Sequence, residues 1–135
     1  MLADAGPIVA LADEKDPHHI ACTRALLRIT PPLETILPVF TEAMYLIGRS
    51  ARWDGQNRLW SRLQTGALRL RELELDDLTR ARELMEQYRD VPMDFADATL
   101  VAYAEREGLD QIFTLDRRAF LTYRLRGRRP FTIFP

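Results

Sequence analysis

Residues 91–120 constrain the fold of this chain more than any other stretch, because they predict one helix followed by one buried strand. Asp94 stands where an N-cap belongs, strong helix formers continue over Phe95–Glu107, and Gly108 supplies the C-terminal stop. The short apolar run at residues 112–115 is typical of a strand buried in a parallel sheet. The stretch therefore predicts an α/β unit.

Short apolar runs elsewhere in the chain alternate with helical patterns. A second helix is expected to begin near Asp16 and to end at Pro31 and Pro32. Further strands are expected at residues 1–4, 35–37, 67–73 and 131–134. This alternation predicts a three-layer α/β/α sandwich with a mostly parallel central sheet. A length of 135 residues favours a single domain, residues 1–135.

Four carboxylates stand where predicted strands end or where the following helices begin. Asp4 ends the first strand, and Glu42 lies just past the second. Asp97 is in the first turn of the central helix, and Asp116 ends the strand after it. In a parallel sheet with right-handed crossovers, these positions fall on one edge, and ligands bind outside the carboxyl ends of such strands. The four acids therefore form the candidate catalytic site.

Acids gathered at one edge repel one another, and a cation would offset that repulsion. Oxygen donors without a nearby histidine or thiolate suit Mg²⁺ or Mn²⁺ better than zinc. Such an ion lowers the pKa of a bound water and stabilises charge on a leaving oxygen. Phosphodiester hydrolysis follows as a hypothesis, with Asp4, Asp97 and Asp116 as the metal ligands.

Each acid also has a purely structural interpretation. Asp97 can be an ordinary first-turn acid beside the cap at Asp94, and Glu42 can complement its own helix end. Asp4 and Asp116 can be turn formers. Taken singly, none of the four is specific, so the hypothesis rests on their combination at one sheet edge.

Two threonines stand next to these acids in the sequence. Thr41 directly precedes Glu42, and Thr114 lies two residues before Asp116. Their hydroxyls are candidates to orient a carboxylate or a metal-bound water. Threonines also commonly bond their own backbone, and that alternative stays open.

The carboxyl-terminal segment, residues 117–135, is strongly basic. It contains six arginines and no acid, so it carries +6 while the rest of the chain carries −7. A basic flank beside an acidic site suits a polyanion held by its phosphates, although a solvated basic face is the alternative.

The remaining composition is that of an ordinary soluble protein. Cys22 is the single cysteine, so an internal disulfide is excluded and a reducing cytoplasm is the simplest location. No apolar run approaches the roughly 20 residues of a membrane span. We therefore expect a cytoplasmic protein without a membrane segment.

The motifs, taken in order, resemble those of the PIN-domain family, and in particular the VapC-type toxins of prokaryotic toxin–antitoxin pairs. They are Asp4-Ala-Gly-Pro, Thr41-Glu42, Asp97-Ala-x-Leu-Val-Ala, and Thr114-x-Asp116 with Phe120. By this resemblance, Asp4, Glu42, Asp97 and Asp116 match the family's acids, and Asp94 is a plausible auxiliary ligand. Ala5 departs from the pattern, because many relatives have Thr or Ser directly after the first aspartate.

The resemblance implies a Mg²⁺- or Mn²⁺-dependent endoribonuclease. It also implies an RNA substrate, a small antitoxin as partner, and a homodimer. Arg117, Arg118 and Arg124 are then candidates to hold the RNA backbone. Which RNA is cut does not follow from the sequence.

Two other function classes compete with the nuclease. One is a catalytically silent PIN-fold module that binds protein or RNA. The other is phosphoryl transfer through an aspartyl intermediate, as in haloacid-dehalogenase phosphatases or receiver domains, which need a lysine near the site. The only lysine here is Lys15, in an acidic early loop, which argues against this second class.

Overall fold

The computed structural model describes residues 1–29 and 32–135, and within them the chain forms five strands and seven helices. In chain order, these elements are β1 (Leu2–Ala3), α1 (Ala5–Ala12), α2 (His19–Leu26), β2 (Leu33–Ile36), α3 (Leu37–Ser50), α4 (Arg52–Gln64), β3 (Leu68–Arg71), α5 (Leu75–Gln87), α6 (Phe95–Glu107), β4 (Gln111–Phe113), α7 (Arg117–Thr122) and β5 (Thr132–Phe134). The predicted α/β alternation is confirmed. In this part of the chain, no helix combines the length and the apolar character needed to cross a membrane.

The strands form one sheet in the order β3-β2-β1-β4-β5, and every pair of neighbours is parallel. Right-handed crossovers place the helices before and after β3 on opposite faces of such a sheet. Most of the helix packing follows this division, although α3 and α6 also contact each other. Helix α1 contacts α2 and α3, and α3 contacts α4, while α5 packs chiefly on α6. The sheet is thus the middle layer of an α/β/α sandwich, as predicted.

The strand order changes direction between β1 and β4. The chain leaves β1 towards β2 and β3, and returns at β4 on the other side of β1. In open parallel α/β sheets, ligands bind at such a switch point, outside the carboxyl ends of the strands. Asp4 follows β1 directly, and Asp116 lies three residues past the end of β4. Two of the candidate acids therefore stand at the switch point.

Helix α6 has the predicted bounds and is enclosed by the core. Asp94 caps its start by accepting a hydrogen bond from the backbone N–H of Asp97 at 2.8 Å. Gly108 ends it in the left-handed conformation, with φ of 70°, that glycine adopts without strain. Residues 98–105 are all buried. The core therefore holds the helix that carries Asp94 and Asp97.

Two strands differ from their predicted bounds because helices begin close behind them. β2 lies earlier than expected, since α3 already begins at Leu37 with Pro38 in its first turn. β4 ends at Phe113, because the chain turns at Asp116 into α7, a helix of six residues that the sequence pattern did not predict. Asp116 is therefore the N-cap residue of α7.

Helix α2 differs more from its prediction. It begins at His19 rather than near Asp16. Its apolar residues do not all face the core, because Ile20 is exposed while Cys22 is fully buried. Pro31, which was expected to help end this helix, lies outside the described residues.

Glu105 links α6 to α5 and to the carboxyl-terminal segment. Its carboxylate is buried and accepts hydrogen bonds from Arg80 Nε at 2.7 Å and from the Arg126 backbone N–H at 2.6 Å. Arg80 Nη2 donates to the second oxygen at 3.1 Å. The segment that follows α7 is therefore attached to the core by a paired, buried charge.

Replacing Glu105 with alanine is expected to lower the free energy of unfolding by about 2 kcal/mol, because it leaves a partly buried arginine without its main acceptor. Glu83 is the matched control, since it pairs with the same Arg80 at 2.9 Å but is exposed. Glu83→Ala should cost less than about 0.5 kcal/mol. Urea unfolding measures both variants, and equal losses would contradict this account.

Candidate metal centre

Asp4 is fixed at the end of β1 by two hydrogen bonds. Its backbone is extended, and its Oδ1 caps α1 by accepting from the Ala5 N–H at 2.6 Å. Its Oδ2 accepts from the Thr114 hydroxyl at 2.8 Å. Because Asp4 is only 8% exposed, these contacts hold the carboxylate at one place on the sheet edge.

Thr114 connects the carboxyl ends of the two central strands. It is fully buried just past β4, donates to Asp4, and accepts from the Asp116 N–H at 3.0 Å. The sequence prediction gave this hydroxyl the task of orienting a carboxylate, and the contact with Asp4 has the geometry that such a task requires. Its part in catalysis stays a prediction.

Asp94 and Asp97 lie together at the start of α6. Asp94 Oδ1 serves the cap by accepting from the Asp97 backbone N–H. The Asp97 carboxylate takes no part in that cap; its Oδ2 accepts a hydrogen bond from the Tyr123 hydroxyl at 2.9 Å. The structural interpretation of Asp97 as an ordinary first-turn acid therefore does not describe its side-chain contact.

Asp116 and Glu42 approach the same edge from two other elements. Asp116 is exposed, and its Oδ1 caps α7 by accepting from the Ala119 N–H at 2.9 Å. Glu42 is half-buried on α3. Asp116 thus has the structural role that aspartates often have at turns, and it keeps one oxygen that this cap does not use.

The pKa values of these acids show that their charges act on one another. Burial, followed by the negative charges of Asp4 and Asp94, raises the pKa of Asp97 to about 7, although the Tyr123 hydrogen bond opposes this shift. Burial also raises the pKa of Asp4, against the hydrogen bonds from Thr114 and Ala5, with a further contribution from Asp94 and Asp116.

Glu42 belongs to the same electrostatic group. Burial raises its pKa first, and the charges of Asp94 and Asp4 add to the effect. Asp4, Glu42 and Asp97 therefore lie close enough to other edge acids for those charges to disfavour their ionised forms, as expected at a single sheet edge.

The arginines of the described residues do not neutralise these acids. The ion pairs there involve other carboxylates, among them Glu34, Asp77, Glu105 and Asp110. In the same part of the chain, hydrogen bonds engage only one carboxylate oxygen each of Asp94, Asp97 and Asp116. An all-oxygen donor set with raised pKa values and no paired cation fits a hard divalent ion.

The side chains do not close around a common point in this structure. Within residues 1–29 and 32–135, no three His, Cys, Asp or Glu side chains form a group that could enclose an ion. The fit of a metal therefore rests on the chemistry and the mutual repulsion of the donors.

Thr41 and two of the candidate arginines make hydrogen bonds to nearby backbone, and their roles at the site stay predictions. Thr41 is exposed and donates its hydroxyl proton to Leu37 O at 2.8 Å, so that proton is bound within its own helix. Arg117 donates to Pro135 O at 2.7 Å, and Arg124 donates to Leu121 O at 2.6 Å. These two guanidinium groups therefore bind backbone carbonyls of the carboxyl-terminal segment.

Arg118 is the better placed of the three candidate arginines. It is exposed and lines a cleft of about 370 Å³ together with Asp116 and Tyr123. A larger cleft of about 810 Å³ includes Phe95 at the start of α6, and its lining is mainly apolar, although Arg71 and Glu72 also line it. Both clefts therefore contain an arginine, but only the smaller one is lined by a candidate acid, Asp116.

Sequence reasoning missed Tyr123, although it contacts a candidate ligand directly. It is fully buried and lies 26 residues from Asp97 along the chain. The only available signal is its spacing of three residues from Phe120, which indicates a shared helix face but gives no hint of a carboxylate partner.

Asp97→Asn is expected to stabilise the metal-free protein above pH 7. In the wild type, the unfolded chain ionises Asp97 near pH 3.8, whereas the folded chain keeps the proton until about pH 7. The free energy of unfolding therefore falls as pH rises between these values. Asparagine does not ionise, so above pH 7 the variant should have a free energy of unfolding roughly 1–3 kcal/mol higher than the wild type.

Thermal unfolding in EDTA from pH 4 to pH 8 measures this effect. The melting temperature of the variant should exceed that of the wild type increasingly up to about pH 7 and by a constant amount above it. Asp54→Asn is the control, because Asp54 is also a first-turn acid but lines a separate polar cleft with Asp13 and Lys15. A difference independent of pH would contradict the raised pKa of Asp97.

Two solved structures share this fold. The chain is similar in structure to Mycobacterium tuberculosis VapC20, described as a sarcin-ricin loop cleaving toxin, with a TM-score of 0.78, 20% identity, and coverage of 87% of this chain and 92% of that chain. It is also similar to a chain of a toxin–antitoxin complex from Klebsiella pneumoniae, with a TM-score of 0.65, 18% identity, and coverage of 90% of each chain.

At these identities, the two solved structures establish the fold alone. No curated protein sequence matches the chain significantly. The profile of the PIN domain family, however, matches residues 1–125, which include every candidate acid and Tyr123. The chain therefore belongs to the PIN-domain family.

Proposed function

We propose that this chain is a metal-dependent endoribonuclease, the toxin of a toxin–antitoxin pair, which hydrolyses RNA phosphodiester bonds. The observation that carries the proposal is the group of acids at the switch point between β1 and β4. They come from four separate parts of the chain and are not among the arginine-paired carboxylates of the described residues, and burial together with neighbouring acids raises the pKa values of Asp4, Glu42 and Asp97. A binding module that cuts nothing has no use for such a group.

Asp4, Asp97 and Asp116 would hold Mg²⁺ or Mn²⁺, with Asp94 as an auxiliary ligand. When bound, the ion would activate a water for attack on phosphorus and stabilise charge on the leaving oxygen. Thr114 and the Ala5 N–H hold the Asp4 carboxylate in place for this purpose. The positive end of α6 favours negative charge at its first turn, where Asp97 lies.

Glu42 is suited to handle a proton at this site. It is half-buried, and burial together with Asp94 and Asp4 raises its pKa from the ordinary value. A carboxylate whose pKa lies closer to neutral is a better general base. In the proposal, Glu42 takes up the proton of the attacking water.

Arg118 would position the RNA by contacting a backbone phosphate. It is exposed beside Asp116, within a segment that carries +6. Phosphate contacts from arginine supply affinity that does not depend on base sequence. Such contacts do not select a sequence, so the RNA named for the sarcin-ricin loop cleaving toxin is not assigned to this chain as its substrate.

The proposed partners are a small antitoxin and a second copy of the chain. The similarity to a toxin–antitoxin complex supports the antitoxin. The apolar cleft supports a protein partner as well, since it exposes Leu37 by 58% and Phe95 by 51% beside the acidic edge. The buried thiol of Cys22 agrees with a cytoplasmic location.

Asp4→Asn and Asp97→Asn are each expected to lower RNA cleavage in Mn²⁺ at least about 100-fold, because each removes a charge that the ion needs. Cleavage is measured on total RNA with mapping of the new 5′ ends. Asp54→Asn, at an exposed first-turn acid of α4, should cut like the wild type.

Circular dichroism checks that each variant is folded before its activity is compared. Mn²⁺ titration of the wild type separates the nuclease from a catalytically silent PIN module, because only the nuclease needs the ion. Wild-type cleavage rates in both Asn variants, or a wild type that neither binds Mn²⁺ nor cuts RNA, would refute the proposal.

A further inference from the structure

Tyr123 reaches the acidic edge from the carboxyl-terminal segment. It follows α7 directly, its side chain is fully buried, and its hydroxyl donates to Asp97 Oδ2 at 2.9 Å. Within the described part of the chain, the Asp97 carboxylate accepts this one hydrogen bond. A residue from outside α6 therefore sets the orientation of a proposed metal ligand on α6.

The packing around Tyr123 fixes its ring. Its ring stands edge-on to Phe120, with centroids 5.3 Å apart, and to Tyr88, with centroids 5.2 Å apart. Tyr88, the C-cap residue of α5, accepts a hydrogen bond through its hydroxyl from the Arg124 backbone N–H at 3.0 Å. This bond attaches the residue after Tyr123 to the end of α5. Phe120 in turn packs on Phe131 at 5.5 Å. The hydroxyl has little freedom to leave Asp97.

The direction of the contact is fixed when Asp97 is ionised, as a metal ligand must be. A phenol at neutral pH is a donor, and burial together with the charge of Asp97 raises the pKa of Tyr123 further above its ordinary value. The carboxylate oxygen must therefore accept. With Oδ2 engaged in this way, Asp97 is held in one orientation and keeps Oδ1 for another partner.

We propose that Tyr123 is a positioning residue, whose hydrogen bond to Oδ2 orients the Asp97 carboxylate to bind a divalent cation through its other oxygen. Partners of this kind hold metal ligands in place, and their loss commonly costs about 10-fold or more in metal affinity. The inference rests on the proposed function, because it concerns a ligand of the same site. The carboxyl-terminal segment would then contribute to the metal centre through Tyr123 as well as to RNA binding through Arg118.

Tyr123→Phe in the full chain tests the inference. Phenylalanine keeps the ring that packs on Phe120 and Tyr88 and removes only the hydroxyl, so the variant is expected to fold. Its dissociation constant for Mn²⁺, measured by calorimetry at 10 °C, should rise about 10-fold. With an unstructured RNA, kcat at fixed Mn²⁺ should fall to a similar degree, while KM stays within about two-fold of the wild-type value.

Tyr103→Phe is the matched control. Tyr103 is also buried and lies on α6 itself. However, the Arg106 guanidinium stacks over its ring, and its hydroxyl lies near Arg71 rather than near the acidic edge. This variant should lose a similar amount of thermal stability without changing Mn²⁺ affinity. A merely structural role for Tyr123 would make the two variants alike.

The outcomes separate the inference from the function on which it rests. If the wild type binds Mn²⁺ and cuts RNA, and Tyr123→Phe does both equally well, the positioning role is refuted and the proposed function stands. If the wild type binds no Mn²⁺, both are refuted. A folded Tyr123→Phe with weakened Mn²⁺ binding, beside an unchanged Tyr103→Phe, supports both.

Discussion

The hydrogen bond from Thr114 to Asp4 joins positions 110 residues apart along the chain, and the arrangement of the acidic edge depends on it. It forms where β1 and β4 end side by side, at the point where the strand order changes direction. The same threonine accepts from the Asp116 N–H, so one buried hydroxyl sets the relative positions of two acids. The parallel sheet brings the carboxyl ends of β1 and β4 together, and this hydrogen bond fixes the residues that follow them.

Carboxylates in this protein fall into two groups that differ in how their charge is balanced. Asp77 and Glu105 are buried and bound by arginines, Arg106 and Arg80, so each is neutralised within the fold. Asp4, Asp94, Asp97 and Asp116 accept from hydroxyl and backbone N–H donors, which orient a carboxylate without cancelling its charge. Burial raises the pKa values of Asp4 and Asp97, and the charges of neighbouring edge acids add to that effect. Among the described residues, the edge is where several carboxylates without an arginine partner gather, and a nuclease site explains that grouping.

Local patterns were sufficient to predict the elements that carry the candidate site. The bounds of α6 followed from an N-cap aspartate and a C-terminal glycine, which are signals within the helix itself. The placement of Asp4 and Asp116 at strand ends followed from where apolar runs give way to polar residues. Together with the right-handed crossover rule, these signals were enough to place the acids on one edge.

The features that were not predicted depend on contacts between distant residues or on very short elements. Helix α7 has six residues, too few for a helical period to be recognised. The bond between Tyr123 and Asp97 has no periodic signature, because it links two elements across the site. Whether Thr41 would bond a neighbouring acid or its own helix depended on its rotamer and exposure, which the sequence does not encode. The same holds for Arg124, whose guanidinium turns back to the end of α7.

The central claim is that acids from separate parts of the chain share one divalent ion at the edge between β1 and β4. Anomalous diffraction from crystals grown in Mn²⁺ tests it most directly. The account predicts a strong manganese peak coordinated by carboxylate oxygens of Asp4, Asp97 and Asp116. Well-ordered crystals without a peak at that edge, or with manganese bound only elsewhere, would contradict it.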